Sequence, residues 1–221
     1  MAVKRGPQRS EPPERQRRSQ AERSATTRGA LVKAARELFA RDGYAATGRE
    51  AIVERAGVTR GAMYHHFADK EALFRAVFEE IESEVMARAA EAAMTVPPED
   101  PLGQLRAGSL AYLDVALDPA VQRICLLDAP AVLSPTARQE VLDAYAVGLV
   151  REVLSAAMQS GALRQQPLEP LTHVLLAALH EAALYVARAE DHAAARTEVG
   201  TTIEHLLDSL RSSPGRSSPA R

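Results

Sequence analysis

The chain has 221 residues, 46% of them hydrophobic, with a formal net charge of −2 and a single cysteine, Cys125. That is enough chain to bury a sizeable core, in one large unit or two smaller ones. One cysteine excludes an internal disulfide and zinc-type spacing, and no uninterrupted apolar run is long enough to span a bilayer. Residues 1–20 lack the apolar centre of a secretory signal, so the expected location is the cytoplasm.

Ala, Leu, Glu and Arg dominate, Trp is absent and β-branched runs are scarce, so the expected fold class is all-α. Charge is unevenly placed. Residues 1–70 hold 15 Lys and Arg against 8 Asp and Glu, a net of +7, while the remainder holds 12 against 21, a net of −9. A basic front joined to an acidic rear suggests that only one end meets a polyanion. Residues 1–20 alone carry 6 of the basic residues against 2 acidic ones, so a solubilising tail accounts for part of the asymmetry.

Residues 1–24 have no hydrophobic periodicity and read as a disordered basic arm, either adding nonspecific DNA affinity through counterion release or merely solubilising. Residues 212–221 read as a disordered tail. A first helix is expected over about 26–41, with Leu31, Ala34, Ala35, Leu38 and Phe39 as its apolar stripe and Gly43 as a left-handed cap. A second is expected over about 48–55 with Thr47 as N-cap. Thr59 caps a third that reaches about His66, and Asp69 caps a long fourth that reaches about Met94. Val96-Pro97-Pro98-Glu99-Asp100-Pro101 then breaks the chain. Asp118-Pro119 and Ser134-Pro135 open further helices, the second stopped by Gly161. The last two follow Pro167 and Asp191. The organisation expected is a three-helix DNA-binding unit over 25–75 and a larger regulatory and dimerisation unit over 76–211, about nine helices.

Residues 47–67 carry the functional signal. Two short helices joined by a three-residue turn containing Gly57 are the sequence form of a helix-turn-helix. Ile52, Val53 and Ala56 must pack on Val58, Met63 and Phe67, which turns Thr59, Arg60, Ala62, Tyr64 and His65 outward. Gly61 and Ala62 are small enough for close approach to base edges, and Arg60 can reach a guanine with two bonds. Tyr64, His65, His66 and Lys70 can donate to phosphates.

The run Ala56-Gly57-Val58-Thr59-Arg60-Gly61-Ala62-Met63-Tyr64-His65-His66-Phe67, followed by Asp69-Lys70-Glu71-Ala72-Leu73 and preceded by Gly43-Tyr44-Ala45-Ala46-Thr47, resembles the tetracycline-repressor (TetR) family of bacterial regulators. The resemblance spans about residues 27–75. It implies that Tyr64, His66 and Lys70 anchor phosphates, that Arg60, Gly61 and Ala62 sit against bases, and that Phe67 is core. The sequence departs from the family at Gly48, where Ser or Thr is usual, and at Arg49 and Glu50. Arg49 can replace the lost phosphate contact; Glu50 is repulsive near DNA unless it pairs with Arg49 or accepts from a cytosine amine. His65 and His66 do not suggest a metal site, because adjacent helical side chains diverge.

The resemblance also implies a helical ligand-binding and dimerisation domain. The stretch 168–189 is apolar around most of its circumference, and the last helix carries Val199, Ile203, Leu206, Leu207 and Leu210. Two such helices can pair with their copies across a two-fold axis, or close an intramolecular bundle. Polar interruptions at Tyr112, Asp128, Tyr145, His173, His180 and Glu181 are the candidates for contact with a small-molecule effector. Cys125 reads as a small core residue. There is no phosphate loop, metal cluster or nucleophile–base signature, and no enzyme activity, metal or cofactor is expected. The expected function is a homodimeric regulator on a palindromic operator in double-stranded DNA, a repressor released by an unknown effector. The alternative is a ligand-independent activator or structural factor.

Overall fold

The computed structural model describes residues 14–212, with side-chain surroundings from residue 21 onward. The expected tail at 213–221 and the arm at 1–13 lie outside the described residues. Helix α1 spans Glu14–Ala46, so the expectation of disorder up to residue 24 fails at 14–24. Glu, Arg, Gln and Ala there favour helix even without an apolar stripe, and they extend a helix already anchored further along. Gly43 interrupts α1 at φ 80°, ψ 164°. That is the extended region on the positive-φ side rather than the left-handed helical cap expected from sequence, and it is open in practice only to glycine.

Helices α2 (Arg49–Ala56), α3 (Arg60–His66) and α4 (Lys70–Met94) follow, then α5 (Pro101–Val115). Next, α6 (Pro119–Val121) passes through a π-helical segment, Gln122–Asp128, into α7 (Ala129–Val132). Likewise α8 (Pro135–Leu142) passes through a second π-helical segment, Asp143–Val147, into α9 (Gly148–Gln159). Helices α10 (Leu168–Arg188) and α11 (His192–Ser209) close the chain. The described residues thus form nine continuous helical rods and no named strand, an all-α fold.

The start signals act as expected at Thr59, Asp69, Asp118, Ser134 and Asp191, whose side chains accept from backbone N–H groups of the first turn. Thr47 does not cap α2. It is buried, and its hydroxyl donates to the carbonyls of Gly43 (2.8 Å) and Leu38 (3.3 Å), while Gly48 occupies the cap position without a side-chain bond. Stitching the broken end of α1 competes successfully for that hydroxyl.

One apolar core runs from α1 through the helix-turn-helix and along α4 as far as Val85. It continues into Ile124, Cys125 and Ala129, so no packing break falls at residue 75. Arg36 of α1 fixes α4 with a two-bond contact to Glu84, both 2.7 Å. A second core joins α5, α9, α10 and α11. Helix α10 is long and apolar enough, by length and composition, to cross a membrane, although no single uninterrupted run showed it. It packs instead as a bundle helix, burying Leu175, Leu179, Ala183 and Val186.

Candidate nucleic-acid interface and effector cavity

The recognition surface is built from the turn outward. Gly57 takes φ 66°, ψ 31°, and its N–H bonds back to Glu54. Only a residue tolerant of the left-handed region turns so sharply there. Ile52 and Met63 are fully buried beneath the turn and hold α2 and α3 together. Thr59 is spent on capping, its hydroxyl accepting from the Ala62 N–H at 3.2 Å. Arg49, Arg60, Gly61, Tyr64 and His65 are exposed, and Ala62 and His66 half-exposed. Two guanidinium groups approach the Tyr64 ring, Arg49 at 5.9 Å and Arg60 at 5.8 Å from its centroid. These contacts hold both cations on one face.

Three local expectations change. Glu50 lies 3.9 Å from Arg60 rather than pairing with Arg49, so the acid partly masks the Arg60 charge. The rings of His65 and His66 do not diverge but meet edge to face at 5.2 Å. Among the described residues no group of three or more His, Cys, Asp or Glu is placed to hold a metal. Without DNA, Lys70 is held by the chain itself: its ammonium donates to the carbonyls of Tyr44 (2.9 Å) and Thr47 (3.1 Å) and lies 4.0 Å from the Tyr44 ring centroid. Burial, and then the charge of Arg49, pull its pKa below the usual lysine range. A carbonyl-bound ammonium braces the loop between α1 and α2.

The second site is a partly open cavity of about 410 Å³ lined by α4, α5, α8, α9, α10 and the π-helical segments Gln122–Asp128 and Asp143–Val147. Its wall is mostly apolar, with Phe78, Met86, Leu105, Leu149 and Leu176 among its members. Tyr112, His173 and His180 of the six effector candidates line it. Asp128, Tyr145 and Glu181 do not. Asp128 instead accepts from the backbone N–H of Tyr44 at 2.8 Å and from Arg123 at 3.2 Å. Tyr145 is 39% exposed, and Glu181 faces outward.

Sequence reasoning missed Glu82, Ser109 and Arg138. Glu82 is buried in the wall beside the Cys125 thiol, and burial lifts its carboxyl to about 7. Burial and the neighbouring Glu82 also push the Cys125 thiol well up, which keeps it protonated and unreactive. Burial pushes the Tyr112 hydroxyl upward as well. His180 is lowered, first by burial and then by the charge of Arg138, which keeps its imidazole neutral at pH 7. The cavity and the DNA-facing unit share one element: Cys125 is in the cavity wall, and three residues later Asp128 binds Tyr44 at the broken end of α1.

An exposed two-helix reader set on a helical domain with a small-molecule-sized cavity defines a helix-turn-helix transcriptional regulator. Residues 31–77 match the model of the bacterial regulatory proteins of the tetR family, and residues 102–210 match the tetracyclin repressor-like C-terminal domain. A TetR-family transcriptional regulator from Pectobacterium atrosepticum is 33% identical, with 88% of this chain and 98% of that chain covered and a TM-score of 0.75. FadR from Bacillus subtilis, solved with stearoyl-CoA, is 19% identical over 83% of this chain and 98% of its own, with a TM-score of 0.69. RolR, solved with resorcinol, is 20% identical over 88% and 97%, with a TM-score of 0.66. No curated protein matches the sequence. The chain belongs to the TetR family of DNA-binding transcriptional regulators.

Proposed function

We propose that this regulator binds a palindromic operator as a homodimer and represses until a small apolar effector enters the cavity. The observation that carries this reading is the shared π-helical segment, with Cys125 in the cavity wall and Asp128 tied to Tyr44. A ligand that moves the first displaces the second, and with it the end of α1 that supports the reader. π-helical turns are uncommon and concentrate at functional positions. The effector must bind the released state more tightly than the DNA-bound one for this to work.

Arg49, Arg60, Gly61, Ala62, Tyr64, His65 and His66 contact DNA in this account, with Thr59 and Lys70 supporting them. Val174 (65% exposed), Tyr185 (55%) and Leu206 (40%) are large apolar side chains left uncovered on α10 and α11, which supports pairing through these last two helices. Two readers in such a dimer lie about one helical turn of DNA apart, roughly 34 Å. DNA as partner argues for the cytoplasm. The test is fluorescence anisotropy on a selected operator, with apolar compounds added at increasing concentration. Repression with release requires operator dissociation by a compound that also raises the melting temperature of the free protein. Stabilisation without dissociation, or no response, favours the ligand-independent activator.

A further inference from the structure

Two ionisable side chains in the cavity wall lack a counter-charge, and they differ in what they can do about it. Glu82 and Arg138 both line the cavity, yet no ion pair joins them and neither pairs elsewhere among the described residues. The Arg138 Nε is shut off from solvent with no hydrogen-bond partner. Other arginines have a carboxylate partner: Arg106, whose Nε is likewise unpartnered, binds Asp208 through Nη2, Arg151 binds Glu169 and Arg196 binds Asp114.

A buried carboxyl escapes its desolvation cost by taking up a proton, and Glu82 does so near neutral pH. A guanidinium has no such escape, because it stays charged at any pH a protein meets. Arg138 is half-exposed, so water reaches part of the group, and an anion in the cavity would exchange that water for a charge-assisted bond. A planar fork of N–H donors matches a carboxylate, and charge-assisted bonds of this kind are the strong ones. His180, from α10, is close enough to feel the Arg138 charge and carries a neutral imidazole that can donate a further bond. The rest of the wall offers apolar contact.

We propose that the effector is an apolar carboxylic acid, bound as its anion with the carboxylate on Arg138 and the hydrocarbon body along α4, α5 and α9. This rests on the reading of the cavity as the effector site. Glu82, Ser109 and Tyr112, which also line the cavity, then select neutral hydroxyl or hydrocarbon ends rather than a second anion.

The test is thermal shift and calorimetry of the full-length protein with matched sets on one skeleton. Decanoate and phenylbutyrate are compared with their methyl esters, alcohols and amines, all below micelle concentration. The expected result is binding of the carboxylates at least about tenfold tighter than their esters or alcohols, the scale of one charge-assisted contact. Arg138→Met keeps the alkyl stem and is expected to abolish that preference while leaving ester binding unchanged. Arg138→Lys, a second variant with charge but no fork, is expected to fall between. The melting temperature of each unliganded variant reports its folding. Preference for the amines, lost in Glu82→Gln, overturns the carboxylate assignment and leaves the cavity as the effector site. Equal binding of all members overturns it in the same way. Binding of none overturns the assignment and the effector-site reading together.

Discussion

Replacing Asp128 by Ala tests the connection between cavity and reader. The carboxylate receives the Tyr44 N–H at 2.8 Å in a half-buried setting and the Arg123 Nε at 3.2 Å. A hydrogen bond to a charged partner contributes about 1.5–3 kcal/mol, and an orphaned buried donor pays its desolvation in addition. The Arg123 pair adds little, since that side chain is 43% exposed and water screens it. Asp128→Ala is therefore expected to lose about 2 kcal/mol, most of it from the Tyr44 bond. Asp128→Asn, which keeps a neutral acceptor, is expected to lose roughly half as much. Urea unfolding at fixed protein concentration reads the difference, and hydrogen exchange at the Tyr44 amide assigns it to the bond. An Asp128→Ala midpoint equal to wild type, with Tyr44 exchange unchanged, would refute the reasoning.

Lys70→Ala is expected to cost about 2 kcal/mol of stability without DNA, because two carbonyls lose a charged donor; unchanged stability with uniformly weaker DNA binding would restore Lys70 as a direct phosphate ligand. Burial raises Glu82 from its ordinary 4.5 to about 7, so the folded state holds this proton more tightly than the unfolded chain. Its contribution is full below about pH 4.5, declines as pH rises through 7 and levels off above, by an amount on the order of 3 kcal/mol. Glu82→Gln cannot ionise, so its stability relative to wild type is expected to grow between pH 5 and pH 8, measured by parallel urea titrations. Val174→Glu with Leu206→Glu places charge at two uncovered apolar positions of α10 and α11, and light scattering is expected to find a folded monomer with much weakened operator binding.

Much of this fold was legible because its signals are local. Thr59, Asp69, Asp118, Ser134 and Asp191 each cap with a short polar side chain, and Gly57 marks the sharp turn wherever the rest of the chain goes. The reader was legible for the same reason, since its exposed residues follow from helix periodicity once Ile52 and Met63 are inside. What failed depended on distant contacts. Thr47 left its cap position for the carbonyls of α1, and Asp128 was taken by Tyr44, 84 residues away. The cavity was only partly legible. Glu82 could have been found, because it sits four residues from both Phe78 and Met86 on the apolar face of α4. Arg138 carried no such signal: α8 is short and mixed, and only the packing of α8 against the bundle turns that side toward the cavity.

The central claim is that α3 reads a specific DNA sequence in a two-fold arrangement. Selection from random double-stranded DNA with the full-length protein, repeated with Arg60→Ala, tests it most directly. The account predicts an enriched palindrome with half-sites about one helical turn apart, bound as a dimer, and relaxed at one position per half-site in Arg60→Ala. An unenriched pool, with only weak binding that disappears as salt rises, would contradict it.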